Sequence, residues 1–180
     1  MKNIVRSLLL TTLIPFAGIA QTEYVCIPCG YSCDERVHKG PGMCSSCNMK
    51  LVEKSTITFK NVGVEEFCKR IATNPEAIIL DVRTPEEFSG TETEVPSFGH
   101  FKNAININVN ELEGRLKELE KFKNKEILVY CSHSHRSPRA SYLLNTKGFT
   151  NVKNLSGGVS TFMDKKDTDY LRNTFIFHVK

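Results

Sequence analysis

Residues 127–138 read ILVYCSHSHRSP, an apolar run that ends at Cys131 and passes into a tight polar loop. The run is typical of a short buried strand, and Ser137 followed by Pro138 predicts a helix N-cap with proline at the first helical position. Cys131 would then lie between a strand end and a helix start, where free backbone N–H groups and the helix dipole favour negative charge. This pattern predicts a reactive thiolate; the alternative is a buried cysteine that only packs.

The loop after Cys131 adds further positive charge. Arg136 adds to the positive electrostatic potential around the thiol and is expected to neutralise an incoming anion. His133 and His135 either attract that anion and move a proton, or are solvated loop side chains. The loop is therefore the candidate site for nucleophilic catalysis.

From about residue 55 onward, short apolar runs alternate with amphipathic helical patterns, which indicates a parallel sheet covered by helices. A strand over residues 77–80 is expected to end at Asp81, and Thr84 with Glu87 forms a capping box that starts a helix. Residues 151–155 predict another strand, followed by a turn and a final helix from Val159 to at least Met163.

Two more helices are expected on either side of the loop. One would open at Asn108 or Asn110, each followed three residues later by a glutamate, and bury its leucines. The other would follow the loop and end at Gly148. Cys68 lies on an earlier helical pattern and is expected to be a packed thiol.

Four motifs in order resemble a single-domain rhodanese: residues 81–88, residues 99–106, the loop 131–137, and residues 148–158. The resemblance implies a five-stranded parallel sheet flanked by helices, and sulfur transfer through a persulfide on Cys131. It makes Cys131 and Arg136 catalytic and gives the backbone N–H groups of residues 132–136 the task of surrounding the outer persulfide sulfur. The expected substrate-binding residues are Ser132, His133, Ser134, His135 and Ser137. Asp81 and Arg83 would orient the loop or pair with each other.

Loop length separates sulfur transfer from phosphate chemistry. Phosphatases that share this fold carry five residues between the cysteine and the arginine, whereas four separate Cys131 from Arg136 here. One departure from the rhodanese pattern is Ser134, where such loops commonly have glycine, because glycine accepts backbone angles that strain serine. A serine here is expected to reshape the part of the loop that receives the sulfur donor.

Five of the seven cysteines fall between residues 26 and 47. Two C-x-x-C pairs, Cys26 with Cys29 and Cys44 with Cys47, predict a tetrahedral thiolate metal site, and the stretch resembles the short heavy-metal-binding domain of bacterial metal-efflux proteins. The sulfur-rich ligand set favours zinc or copper(I), with zinc expected first. Disulfides are the alternative in an oxidising compartment, and Cys33 and His38 are possible further ligands.

Residues 1–20 have the charged start, apolar core and small residues of a signal peptide, so the chain is expected to be exported to the periplasm or secreted, without stable membrane insertion. The cysteine-rich segment would span residues 21–54 and the rhodanese-like domain residues 55–180.

Lys2 and Arg6 supply two of the four net positive charges and leave with the signal, so nucleic acid is not an expected partner. Expected partners are a small anionic sulfur donor and a thiol acceptor, either a small molecule or a protein. The alternative function is metal binding or delivery, with the rhodanese-like domain as a non-catalytic module.

Overall fold

The computed structural model describes residues 21–165 and 169–178. The signal peptide prediction lies outside these residues. In chain order the strands are β1 (Tyr24–Cys26), β2 (Gly42–Met43), β3 (Lys50–Glu53), β4 (Lys60–Val62), β5 (Ile78–Asp81), β6 (Gly99–Phe101), β7 (Ile105–Asn106), β8 (Ile127–Tyr130), β9 (Val152–Leu155) and β10 (Phe175–Phe177). The helices are α1 (Val64–Thr73), α2 (Pro85–Ser89), α3 (Leu116–Leu119), α4 (Arg136–Thr146) and α5 (Asp169–Arg172), with 3-10 turns at Ser32–Glu35, Lys54–Thr56, Glu120–Phe122 and Val159–Lys165.

The central sheet has five parallel strands in the order β4-β9-β8-β5-β7. β8 occupies the middle of the sheet, so the loop that begins at Cys131 leaves from its carboxyl edge. In open parallel sheets, ligands bind at this edge. The predicted α/β fold with a five-stranded parallel sheet flanked by helices is confirmed.

Alternate side chains of β8 enter two separate cores on the two faces of the sheet. Ile127 and Val129 pack with Leu80 and Leu144 on one face. Leu128 and Tyr130 pack on the other face among phenylalanines. Because both faces are covered, the strand is a continuous apolar run rather than an alternating one.

The predicted helix at Asn108 or Asn110 is wrong in extent. The side chain of Asn108 accepts a hydrogen bond from the N–H of Asn110 at 3.0 Å, a local turn that competes with helix formation. Gly114 further disfavours helix in this segment. Only α3 forms, although Leu112 and Leu119 are buried as expected.

The predicted Ser137 N-cap is also wrong, because α4 begins two residues earlier than predicted, at Arg136 instead of Pro138, with His135 at the cap position. Pro138 still lies in the first turn, where its missing N–H is not needed. The helix predicted from Val159 starts there but is a 3-10 helix, and it is not the final helix, because the unpredicted α5 follows it. Thr161 donates its hydroxyl to the Gly158 carbonyl at 2.7 Å, which suits the tighter turn.

A second sheet near the C-terminus was not predicted. β10 pairs antiparallel with β6, and Phe175 packs edge-on against Phe101 and Phe162. The pairing joins segments more than seventy residues apart, so no local pattern revealed it.

The cysteine-rich segment forms a three-stranded antiparallel sheet in the order β1-β3-β2. Its Ile27 and Val52 belong to the same core as Leu80 and Val129 of the central sheet. The segment therefore packs on the larger domain and shares its core. Its predicted boundary falls inside the 3-10 turn Lys54–Thr56. Within the described residues, no helix is long and apolar enough to cross a membrane.

Candidate active site and cysteine cluster

Cys131 follows β8 directly and is almost completely buried, with 1% of its surface exposed. The hydroxyl of Ser137, in the first turn of α4, donates to the Cys131 sulfur at 3.3 Å. This bond explains why Ser137 does not cap the helix.

The first two carbonyls of the loop are hydrogen-bonded to the turn after β9. The carbonyl of Cys131 accepts from the Val159 N–H at 2.9 Å, and that of Ser132 accepts from the Ser160 N–H at 3.0 Å. In the described part of the chain, no backbone N–H of residues 132–136 has a hydrogen-bond partner. These donors are available to an anion.

Gly158 makes that arrangement possible. Its φ of +67° lies in the left-handed region, and a Cβ there would stand 2.4 Å from the carbonyl oxygen of Ser132. Only glycine allows the turn after β9 to approach the loop so closely.

Ser134 has the backbone conformation that glycine normally supplies, with φ of +60°. It is fully buried, and its hydroxyl accepts a hydrogen bond from the Asn154 side chain at 3.3 Å. The loop therefore retains a positive φ at this position in spite of the serine.

The Ser134→Gly variant is expected to be as stable as the parent or more stable by up to about 1 kcal/mol, since relief of strain offsets the lost hydrogen bond. Ser134→Val is expected to cost about 2 kcal/mol or more, because a β-branched residue is strongly disfavoured at positive φ. Urea denaturation measures both. Equal stability of the two variants would contradict the strained conformation.

Glu87 is a site residue that the sequence analysis missed. Its carboxylate accepts two hydrogen bonds from Arg136, one of them at 2.7 Å, and another from the Ser132 hydroxyl at 2.8 Å. Glu87 also completes the predicted capping box with Thr84. Burial opposes ionisation, but the hydrogen bonds from Arg136, Ser132 and the Thr84 N–H outweigh it and lower the pKa of Glu87 to about 2.

This network changes the expected roles of two loop residues. The Ser132 side chain faces Glu87, so only its backbone N–H is free for substrate. Arg136 shares its charge with Glu87 while 30% of its side chain remains exposed. The ion pair fixes the guanidinium at the loop end, where it can still meet an anion.

We expect the Glu87 ion pair to make stability depend on acid pH. Because the pKa of Glu87 is lower in the folded protein than in the unfolded chain, its contribution is complete above about pH 4.5 and is lost as the pH falls toward 2. One proton of difference changes the free energy of unfolding by up to about 1.4 kcal/mol per pH unit. The free energy of unfolding can be measured by urea denaturation at several pH values in this range. It should change less with pH in Glu87→Gln than in the parent or in Glu65→Gln, a change at an exposed site. If Glu87→Gln shows the same pH dependence as the parent, the ion pair is contradicted.

Asp81 and Arg83 form a fully buried ion pair with an N–O distance of 2.6 Å. Arg83 also donates to the carbonyls of Ser97 at 2.6 Å and Gly99 at 2.7 Å. The pair thus anchors the segment that leads into β6. The two residues therefore pair with each other, and the described side-chain hydrogen bonds of Arg83 go to Asp81 and the backbone before β6 rather than to Cys131.

His133 and His135 are exposed and meet aromatic side chains. The His133 ring lies 5.5 Å from that of Phe98, and the His135 ring 5.4 Å from that of Tyr31, centroid to centroid. Tyr31 also donates its hydroxyl to the His133 carbonyl at 3.5 Å. Since Tyr31 belongs to the cysteine-rich segment, this segment touches the loop after Cys131 directly.

The cysteine cluster differs from the predicted ligand set. The sulfurs of Cys26, Cys33, Cys44 and Cys47 all lie within 4.8 Å of one another and could hold a metal ion. Cys29 instead groups with Cys33 and Asp34. The 3-10 turn Ser32–Glu35 folds Cys33 back over β1, a geometry that C-x-x-C spacing does not reveal. His38 pairs with the backbone of Tyr24 and belongs to neither group.

Thiol acidity varies across the protein. Backbone N–H groups of Cys47 and Ser46 lower the pKa of Cys44 to about 7. Burial raises the pKa of Cys26 and Cys29. Burial also raises the pKa of Cys68 to about 12, in keeping with the packed thiol predicted there.

Comparison with known proteins agrees with the geometry. The family model for the rhodanese-like domain matches residues 64–165. A tRNA uridine(34) hydroxylase of Cytophaga hutchinsonii is 30% identical over 134 residues, covering 72% of this chain and 40% of that protein. The uncharacterized protein YqhL of Bacillus subtilis is 37% identical over 83 residues, covering 46% of this chain and 58% of that protein.

Among solved structures, reduced Bacillus anthracis CoADR-RHD aligns with a TM-score of 0.51 at 26% identity, covering 67% of this chain and 18% of that one. The chain therefore spans less than two thirds of the length of these relatives. The family match covers more than half of the chain and includes β8, the loop after Cys131 and the Gly158 turn. The chain belongs to the rhodanese-like domain family.

Proposed function

We propose that the protein is a sulfurtransferase that carries a sulfane sulfur on Cys131. The observation that supports this best is the loop from Cys131 to Arg136, whose unpaired N–H groups follow a buried thiol that already accepts a hydrogen bond from Ser137. A compact ring of donors suits one added sulfur atom.

In the first step the Cys131 thiolate attacks the outer sulfur of thiosulfate or a related donor. A new S–S bond forms on Cys131, the S–S bond of the donor breaks, and sulfite leaves with the electron pair. In the second step an acceptor thiolate or cyanide attacks the outer sulfur, and the Cys131 thiolate is released. Such two-step transfer gives ping-pong kinetics.

The surrounding residues serve binding and positioning. N–H groups of residues 132–136 would stabilise the outer persulfide sulfur, and Arg136, held by Glu87, would attract the anionic donor. Asp81 and Arg83 support the adjoining backbone. His133 and His135 stand at the exposed rim, where they would meet the donor or the acceptor.

We also propose that the protein is exported to the periplasm or secreted, and that the cysteine-rich segment holds zinc. The four clustered thiols suit a tetrahedral zinc or copper(I) ion, which would stabilise a segment with few large apolar side chains. Contact of Tyr31 with the loop supports a role beside the catalytic site rather than independent metal delivery.

Mass spectrometry of the protein after treatment with thiosulfate tests the proposal. We expect one added sulfur on the peptide that contains Cys131, removable by cyanide or by a thiol. The Cys68→Ser variant, altered at a buried thiol outside the site, is the matched control and should load normally. Absence of removable sulfur from Cys131 with every donor tried, including small persulfides, would overturn the sulfurtransferase proposal.

The similarity to tRNA uridine(34) hydroxylases raises tRNA as a second substrate class. The chain covers 40% of that relative, and its charge without the signal peptide is close to balanced. We therefore expect no retardation of tRNA in a native gel at physiological salt. Saturable retardation that is lost in Arg136→Ala would favour a tRNA substrate instead.

A further inference from the structure

The cysteine-rich segment contains more ligands than one tetrahedral ion can use. Five sulfurs and the Asp34 carboxylate fall into two overlapping groups, with Cys33 in both. We propose that the segment binds two metal ions that share the thiolate of Cys33. The first ion would also be bound by Cys26, Cys44 and Cys47, and the second by Cys29 and Asp34.

The distances suit thiolate coordination. Ligand sulfurs around a tetrahedral zinc ion lie about 3.8 Å apart, because each Zn–S bond is about 2.3 Å long. The sulfurs of Cys26 and Cys33 are 3.9 Å apart. In the second group, the Cys29 sulfur lies 3.5 Å from the Asp34 carboxylate, within the range of two ligands on one ion.

The second group is held in place by the backbone. Asp34 accepts from the N–H of Cys29 at 3.1 Å and from that of Gly30 at 2.7 Å. These bonds fix the carboxylate beside the sulfurs of Cys29 and Cys26. Oδ1 of Asp34, which accepts from the Cys29 N–H, lies 3.3 Å from the Cys26 sulfur. A carboxylate oriented by backbone donors retains lone pairs for an ion.

The second site stands next to the contact with the catalytic loop. Cys29 and Asp34 flank Gly30 and Tyr31, and a Cβ on Gly30 would lie 2.5 Å from the Ser156 hydroxyl. Tyr31 contacts His133 and His135. With three protein ligands, the second ion would keep a fourth position for water or a thiolate from solution.

Metal counting on the full chain tests the proposal, with Cd²⁺ as the probe under reducing conditions. After exchange and removal of free metal, we expect two Cd²⁺ per chain by elemental analysis and two ¹¹³Cd resonances. Cys29→Ser and Asp34→Asn should each lose one ion and keep one resonance, while the Cys68→Ser control keeps both.

Titration of the unmodified chain with Co²⁺ gives a second readout that needs no variant. Thiolate charge-transfer absorption should grow to two equivalents and then stop. A break at one equivalent, or two Cd²⁺ retained by a folded Cys29→Ser variant, would overturn the shared-thiolate site. Neither measurement depends on sulfur transfer, so its outcome is separate from the test at Cys131.

Discussion

The Cys131→Ser variant is expected to lose transfer of sulfur from thiosulfate to cyanide by roughly 10³-fold or more, because the covalent carrier is removed. Serine has nearly the same shape but cannot form a persulfide by this route. The fold should persist, since β8 and the hydrogen bonds to the loop carbonyls do not involve the sulfur. Thiocyanate formation measures the rate.

Ser137→Ala is the informative companion to this variant. It removes the hydroxyl that lies 3.3 Å from the sulfur but leaves the nucleophile, so we expect a smaller loss of about tenfold. Circular dichroism of each variant confirms folding. A folded Cys131→Ser protein with undiminished turnover would contradict catalysis by this thiol.

The Arg83→Met variant is expected to destabilise the protein by about 3–5 kcal/mol, because it leaves the buried Asp81 carboxylate without its partner. It also removes the donors to the carbonyls of Ser97 and Gly99. Loss of these bonds should loosen the segment that leads into β6. The midpoint and slope of urea denaturation measure the effect.

Lys147→Met is the matched control for Arg83→Met. It breaks the ion pair with Glu113, in which both side chains are largely exposed, and should cost about 1 kcal/mol or less. If Arg83→Met lowers the free energy of unfolding by no more than this control, the buried ion pair contributes little to stability.

Local sequence patterns were sufficient for much of the fold. The apolar run before Cys131, the strand ending at Asp81 and the capping box at Thr84 all depend on near neighbours, and the structure contains each of them. The predictions were wrong where a side chain hydrogen-bonds to a partner other than the expected one. Asn108 bonds to the backbone of Asn110 instead of capping a helix, and Ser137 bonds to Cys131.

Distant partners account for what the sequence analysis missed in the site. Glu87 lies forty-nine residues before Arg136, and its role in the capping box gave no sign of the ion pair. Cys33 replaces Cys29 in the four-sulfur group because a 3-10 turn brings it back across β1. Spacing along the chain cannot identify contacts that depend on how separate segments fold against each other.

The sequence by itself determined the parallel α/β fold, the position of Cys131 at a strand end and the presence of a thiol cluster, because strand periodicity, caps and cysteine spacing act over a few residues. Only the tertiary structure decided that Glu87 pairs with Arg136 and that Gly158 packs closely against the Ser132 carbonyl. It also decided that Tyr31 of the cysteine-rich segment contacts the loop. These contacts join residues far apart in the chain, and burial and packing across the sheet select them.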